Sequence, residues 1–395
     1  MTTDTRTPHL LAPTSRRLLV AVFSLTSTIG YVAMVQILPV VLIPIADELG
    51  TSRTAIAGAS TVSTLMGALV AIPVGRILDR HGGRLVMTAG SIIGAAAVLL
   101  WSQVTSVALL YVAFALIGMS LVMSTYEAAF AVLVVATEPY ERDRAILMVT
   151  MIAGFATYLV YPVLGWMNSE LGWRTTLVVL AVTLAVTSVP AHLIAIPSRA
   201  AHESHARARS GVPIGSALRQ RRFWLLLIAF VAQAGAASAF LLLVVTYLLD
   251  IGHSTAVATA VPIAVGALQI LSRLMLTTVA RRVPLAPATA FAFAVQGAGL
   301  LLLPLAGLSI PLTLLCVAAV GLGQGVGVIA RPSILADSFG VAHFASVLAA
   351  ITVPMALARA GTPLVATWLG DWRFLAVCGV VSILGALALV PLIKR

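Results

Sequence analysis

Runs of apolar residues, each near the length of a bilayer crossing and separated by short polar knots, recur along the whole chain. They fall at 18–43, 54–76, 84–101, 107–133, 145–166 and 174–196, then at 223–249, 256–280, 286–306, 311–334, 343–366 and 373–392. A transmembrane helix needs about 20 predominantly apolar residues. None of the runs alternates in the way a barrel strand does over about ten residues. A lipid-exposed backbone must satisfy its own hydrogen bonds, which leaves helices. The pattern therefore predicts an all-α polytopic membrane protein with twelve transmembrane helices.

The one long polar connection, Pro197 to Arg222, divides these spans six and six. It gives an expected layout of an N-terminal tail at 1–17, a six-helix bundle at 18–196, a linker at 197–222, a second bundle at 223–392 and a C-terminus at 393–395. The halves also repeat. Glu48, Gly50 and Ser52 recur 202 residues on as Asp250, Gly252 and Ser254. Ile77-Leu78-Asp79-Arg80 recurs at the same offset as Val279-Ala280-Arg281-Arg282, and Gly172-Trp173-Arg174 recurs 199 on as Asp371-Trp372-Arg373. Three anchors at nearly one offset, each between equivalent spans, point to two pseudo-symmetric six-helix units.

Composition agrees. Hydrophobic residues make up 60% of the chain and charged residues 9%, with a mean hydropathy of +1.07. A soluble domain carries about 25% charged residues, enough to cover a water-facing surface. Cys316 and Cys378 both lie inside apolar runs and form no ligand or disulfide pattern. His202 and His205 in the linker lack a third ligand nearby, so neither a metal nor a cofactor is expected. No nucleophile, paired-carboxylate or His/Cys pattern suggests an enzyme.

The net charge of +11 is explained by topology rather than by nucleic acid. With the N-terminus inside, eighteen Arg and Lys fall on the cytoplasmic side: Arg6, Arg16, Arg17, Arg76, Arg80, Arg84, Arg142, Arg144, Arg199, Arg207, Arg209, Arg219, Arg221, Arg222, Arg281, Arg282, Lys394 and Arg395. Only Arg53, Arg174 and Arg373 fall outside. The positive-inside rule puts both termini and the linker in the cytoplasm. The tail lacks the apolar core of a signal peptide and is expected to be retained in a cytoplasmic (inner) membrane protein.

Between spans two and three lies a dense knot, Gly75-Arg76-Ile77-Leu78-Asp79-Arg80-His81-Gly82-Gly83-Arg84. Twelve spans, a 6+6 repeat, a cytoplasmic linker and this loop together resemble the major facilitator superfamily. The signature of that family is carried here by Gly75, Ile77, Asp79, Arg80, Gly82 or Gly83, and Arg84. The resemblance implies a rocker-switch transporter, functioning as a monomer, with a substrate site between the halves near the bilayer midplane. It also implies that Gly75, Asp79, Arg80 and Arg84 form a conformational latch. In the second copy Arg281 replaces the acid, so the latch role is not carried over.

Ionisable residues within spans are costly and point to function. There are few: Glu127 in span four, Arg273 in span eight, Arg331 in span ten and Arg359 in span eleven. Arg331 sits within about a turn of the expected cytoplasmic end, where snorkelling accounts for it. Arg273 and Arg359 lie deeper. Arginine stays charged and offers a fork that matches a carboxylate, so the pattern favours a small organic anion. It resembles the oxalate/formate and monocarboxylate porter branch, which implies substrate contacts from Arg273 and Arg359. The branch often carries an acid one turn before the span-eight Arg, where this chain has Gln269, and its span-eleven cation is here Arg359.

Glu127 is expected either to carry a proton or to serve as counter-ion to Arg273. Spans one, four, seven and ten line the cavity in this superfamily, so Tyr31, Gln36, Gln233 and Gln324 are candidate lining residues, with helix packing as their alternative role. The glycines at 321, 323, 325 and 327 suit close helix packing. Two alternatives stand beside the anion carrier. A multidrug or metabolite exporter of the same superfamily would carry an Arg in span four, where Glu127 stands, and a Gly-Pro-x-x-Gly-Gly run where span five reads Tyr161-Pro162-Val163-Leu164-Gly165-Trp166. A channel would also use buried charge but does not call for a duplicated plan.

Overall fold

The computed structural model describes residues 13–198, 210–279, 283–370 and 372–393. His202 and His205 of the linker, and Arg281 and Arg282 of the second-copy loop, lie outside these described residues. Among the described residues the backbone is nearly all helical, and its only β pairing is a single antiparallel bridge between Gly211 and Gly340. The first half contains α1 (Pro13–Tyr31), a π-helical turn (Val32–Gln36), α2 (Leu38–Glu48), α3 (Arg53–His81), α4 (Gly83–Ser102), α5 (Val107–Ser124), α6 (Tyr126–Ala136) and α7 (Pro139–Ala195). After the short α8 (Ile214–Ala217) come α9 (Arg221–Asp250), α10 (Thr255–Val279), α11 (Leu285–Leu302), α12 (Ile310–Phe339), α13 (Phe344–Leu369) and α14 (Arg373–Ile393).

Eleven helical segments among the described residues are long and apolar enough to cross a membrane. The twelfth expected crossing is found inside α7, whose 57 residues hold both the fifth and sixth apolar runs. Gly172 divides it, with φ +75° and ψ 162°, a conformation open to a residue without a Cβ. Spans one and four are each continuous in sequence but interrupted in structure, by the π turn at Val32–Gln36 and by a break at Thr125.

The chain divides into two compact units, Met1–Ile214 with Phe339–Ala350, and Gly215–Ser338 with Ile351–Arg395. In the first unit, Trp101 packs edge-on to Phe114 at 4.6 Å within a core that includes Ile37, Val98, Ile117 and Leu177. Helices α3 and α5 cross without intervening side chains: a Cβ on Gly118 would lie 2.0 Å from the Ser63 carbonyl oxygen. His192 of α7 is fully buried and joins α4 and α1, its Nδ1 2.9 Å from Ser91 Oγ and its Nε2 3.0 Å from Thr26 Oγ1. In the second unit α14 plays the same part. Gly379 of α14 meets Gly297 of α11, and Gly385 meets the Ala229 carbonyl of α9. The last span of each unit thus packs on the first and third spans of that unit.

The repeated residues have physical reasons to recur. Gly50 and Gly252 follow α2 and α9 at φ +59° and +99°, where a side chain would be strained. Ser52 Oγ then accepts from Ala55 N at 3.1 Å, and Ser254 Oγ from Val257 N at 3.4 Å, capping the helices that follow. At the same end of the first unit, Arg174 gathers three connections. Its Nη2 donates to Glu48 Oε1 at 2.7 Å, its Nη1 to the Ser102 carbonyl at 2.6 Å and its Nη2 also to the Val104 carbonyl at 2.9 Å. Trp173 Nε1 donates to Glu48 Oε2 at 2.7 Å, and the Arg174 guanidinium lies 4.2 Å from the Trp173 ring.

The α3–α5 crossing yields a stability test. Gly118→Ala forces a methyl into the Ser63 backbone, and overpacking of this kind costs on the order of 1–3 kcal/mol. The expected result is a melting temperature several degrees below wild type in the same detergent. Gly165→Ala, at a glycine with nothing within 4 Å of its added Cβ, should melt close to wild type.

Candidate functional site

Three constellations carry chemistry, two in the first unit and one in the second. The first is a clasp between α3 and the start of α13, within the first unit. Gly75 and Asp79 lie one helical turn apart on α3, so they share a face. A Cβ on Gly75 would lie 2.7 Å from the Ala345 carbonyl oxygen, so the glycine lets the backbone of α13 come against α3. Asp79 then caps that helix from outside its own sequence. Its Oδ1 accepts from Ala345 N at 2.9 Å, and its Oδ2 accepts from Ser346 N at 2.9 Å and from Ser346 Oγ at 2.5 Å. Carboxylate charge is favourable at a helix N-terminus, where backbone N–H groups have no helical partner.

The other two residues expected in the latch do different things. Arg84 Nε donates to the Ile196 carbonyl at 2.8 Å, tying α4 to the end of α7, and Arg80 is exposed. The segment that Asp79 caps is also held from the linker side. Val212 N donates to the Phe339 carbonyl at 2.8 Å and Val341 N to the Ser210 carbonyl at 3.1 Å. Gly340, at φ +74°, makes the turn between these two contacts.

The second constellation is where the two interrupted spans of the first unit meet. In the π turn Ile37 N bonds to the Val32 carbonyl at 3.2 Å, five residues back. Thr125, at φ −112° and ψ −144°, ends α5 and starts α6. Tyr31 and Tyr126 stand at these two irregularities with ring centroids 5.0 Å apart, and Tyr126 continues to Phe130 at 5.7 Å. Gly30 lets the helices approach here, since its Cβ position lies 3.4 Å from Thr125 Cγ2. Gln36 and Glu127 are both half-buried, and Glu127 occupies the first turn of α6. Irregular backbone at membrane depth is tolerated where it is buried in protein or lines a cavity, and π-bulges concentrate at functional sites.

The third constellation fills the second unit with amides around a buried guanidinium. Arg273 of α10 is 9% exposed, and its Nη2 donates to Gln269 Oε1 at 3.5 Å, a long contact carried by the charge. Gln269 Nε2 in turn donates to Gln324 Oε1 of α12 at 2.5 Å. A second chain crosses three helices: Gln233 Nε2 of α9 faces Gln296 Oε1 of α11 at 3.5 Å, and Gln296 Nε2 donates to Ser382 Oγ of α14 at 3.2 Å. The glycines of α12 make this possible. Gly321 and Gly325 face α10, and Gly323 faces Gln296, each too close for a Cβ.

Two further arginines complete the picture in this unit. Arg331 is 7% exposed, and its Nη1 lies 3.4 Å from Thr352 Oγ1 and 3.5 Å from Met355 Sδ. The expectation that it lies a turn from its helix end is corrected: α12 runs on to Phe339, which puts Arg331 about 12 Å inside that end at 1.5 Å per residue. Arg359 is exposed on α13, and its backbone carbonyl accepts from Ser238 Oγ at 2.8 Å.

A family model described as Major Facilitator Superfamily matches residues 19–310. The chain belongs to the major facilitator superfamily. It is therefore a multi-pass membrane transporter and not an enzyme. No curated protein sequence matches it significantly. Its fold is similar to several solved structures. One is the Escherichia coli fucose:proton symporter FucP, at TM-score 0.74 and 14% identity over 95% of this chain and 98% of that one. Another is the human organic anion transporter MFSD10, at 0.73 and 16% over 96% and 100%. A third is the proton:xylose symporter XylE bound to 6-bromo-6-deoxy-D-glucose, at 0.66 and 14% over 95% of each chain.

Within the superfamily member described here, sequence reasoning missed the π turn, the break at Thr125, and the buried pair Gln296 and Ser382. Pro39 was the available signal for the first, since it removes a backbone donor just beyond the turn. For the second, Ser124 and Thr125 hydroxyls bond back to the Ser120 and Leu121 carbonyls at 2.9 and 2.6 Å, a pattern that bends helices.

The clasp gives a direct test. Asp79→Asn places an amide donor against the Ser346 donors, so the amides of 345 and 346 should exchange hydrogen at least tenfold faster. Mass spectrometry of a peptide covering 339–350 reads this, and unchanged protection would show that Asp79 does not hold the segment.

Proposed function

We propose that this transporter moves a small organic anion, most simply a carboxylate, across the cytoplasmic membrane by alternating access. The observation that carries the reading is the charge of the second unit's interior. Its spans hold Arg273, Arg331 and Arg359, while the sequence contains no acid between Asp250 and Asp337 or between Asp337 and Asp371. Two of these guanidiniums are buried, with amide, hydroxyl and thioether groups among their contacts. Each buried charge is costly at membrane depth unless it is matched. A transported carboxylate is an anion that the guanidinium fork suits in both charge and shape. The similarity in fold to an organic anion transporter is compatible with this reading.

In this proposal Arg273 is the principal anion ligand, Arg359 a second cation on the path, and Gln233 and Gln324 orient the substrate. Tyr31 and Gln36 contribute from the first unit. Glu127, in the first turn of α6, carries the coupling proton, and Asp79 with Gly75 latches one stage of the cycle while Arg80 and Arg84 set the charge of that loop. The arginine distribution supports a cytoplasmic location for both termini and the linker. The protein works as a monomer.

A second reading has its own observation. The Gln233–Gln296–Ser382 chain is neutral and suits hydroxyl groups, and two of the similar structures are sugar symporters. A thermal-shift screen of purified protein separates the two. Lactate or oxalate should raise the melting temperature and fucose or xylose should not; at 100 times Kd the stabilisation is about 2.7 kcal/mol. Arg273→Ala should abolish the shift while melting as a folded protein. A shift with sugars alone would replace the anion reading by the sugar reading.

Coupling is tested separately in proteoliposomes. Glu127→Gln should abolish the acceleration of uptake by an inward proton gradient, leaving downhill exchange. Gradient-driven uptake equal to wild type would remove Glu127 from the proton path.

A further inference from the structure

We infer that Gln269 is a positioning residue that converts the charge of Arg273 into a hydrogen-bond donor presented by Gln324, so that the pair selects carboxylates over their neutral analogues. The inference deepens the anion reading and rests on it. Its basis is the polarity of the contact chain. A guanidinium has donors only, so the atom of Gln269 that faces Arg273 Nη2 at 3.5 Å has to be the oxygen. That turns Gln269 Nε2 toward Gln324, and the atom it meets at 2.5 Å has to be an acceptor, Oε1. Both amide orientations are thereby fixed by one pure donor at the head of the chain.

What remains is the far end. Gln324 Nε2 is buried and has no hydrogen-bond acceptor. Buried polar atoms are satisfied in the great majority of cases, and leaving a donor unmade costs its desolvation. An amide donor whose own carbonyl is already engaged is polarised toward an acceptor, and a carboxylate oxygen supplies one. The helices are built to bring these groups together. Cβ atoms on Gly321 and Gly325 would lie 2.7 Å from Leu268 Cβ and 2.4 Å from the Gln269 carbonyl oxygen. Ser272 Oγ, one turn further along α10's face, donates to the Gln269 carbonyl at 2.9 Å and fixes the backbone from which the relay starts.

An acid at 269 would invert the arrangement. A carboxylate pairs with Arg273 and has no donor for Gln324, so Gln324 would rotate to donate toward it and would present its carbonyl oxygen instead. The site would then lose a positive charge and gain an acceptor, both unfavourable for an anion. Gln269 is thus suited to its place because it can accept on one side and donate on the other.

The test measures binding to the full-length purified protein by calorimetry. The probes are lactate and oxalate, each paired with its neutral amide, lactamide and oxamide. Wild type should prefer the carboxylate of at least one pair. Gln269→Glu should weaken that carboxylate at least tenfold and change its amide less than twofold, a loss of discrimination that general damage to the site would not give. Gln324→Leu should show the same selective loss and decides the matter alone if Gln269→Glu does not fold. An unchanged carboxylate-to-amide preference in these variants overturns the relay while leaving the anion reading intact. Absence of carboxylate binding in wild type overturns both.

Discussion

Water is missing from the bilayer core, so every backbone N–H and C=O at that depth must find a partner within the protein. That constraint makes the spans helical, and it also gives meaning to the places where the helix ladder is interrupted. In the first unit two interruptions coincide. The π turn of Val32–Gln36 and the break at Thr125 bring Tyr31 and Tyr126 together and place Gln36 and Glu127 beside non-ideal backbone. Irregular backbone at membrane depth is tolerated where it is buried in protein or lines a cavity, and here it carries polar and aromatic side chains.

The same constraint explains how the loop between α3 and α4 works. The start of α13 exposes backbone donors that its own helix does not satisfy, and Asp79 supplies the acceptors from another helix. Gly75 makes this reachable by removing the side chain that would keep the two backbones apart. The spacing of glycine and aspartate at one helical turn is therefore a single device, close approach followed by capping. Three of its hydrogen bonds converge on one carboxylate, so they can be made or lost together. That property suits a latch better than an apolar contact of similar size would.

Much of this was legible in the sequence. The apolar runs marked the helices, and the repeated Gly and Ser positions marked turns and caps for reasons the backbone angles bear out. Asp79 and Arg273 stood out because charge is rare in such a chain. The break at Gly172 falls between the fifth and sixth apolar runs, where hydropathy had already separated two spans. Other features were hidden for identifiable causes. Arg331 looked peripheral because the apolar run ends near residue 334, although the helix continues to Phe339. Gln296 and Ser382 gave no signal, since an isolated amide or hydroxyl in an apolar run has many uses. Only the three-dimensional approach of α9, α11 and α14 joins them to Gln233.

The distribution of charge between the units bears on how coupling would work in the proposed cycle. The proposed substrate ligands Arg273 and Arg359 belong to the second unit, whose sequence holds no acid between Asp250 and Asp337 or between Asp337 and Asp371. Glu127 belongs to the first unit, and so does Asp79, whose carboxylate accepts from the α13 backbone. At position 269 an amide stands where a carboxylate would titrate against Arg273 directly. The proposed proton site on Glu127 and the proposed substrate ligand Arg273 thus belong to different units, and a coupled cycle requires the proton and the substrate to bias one equilibrium between conformations.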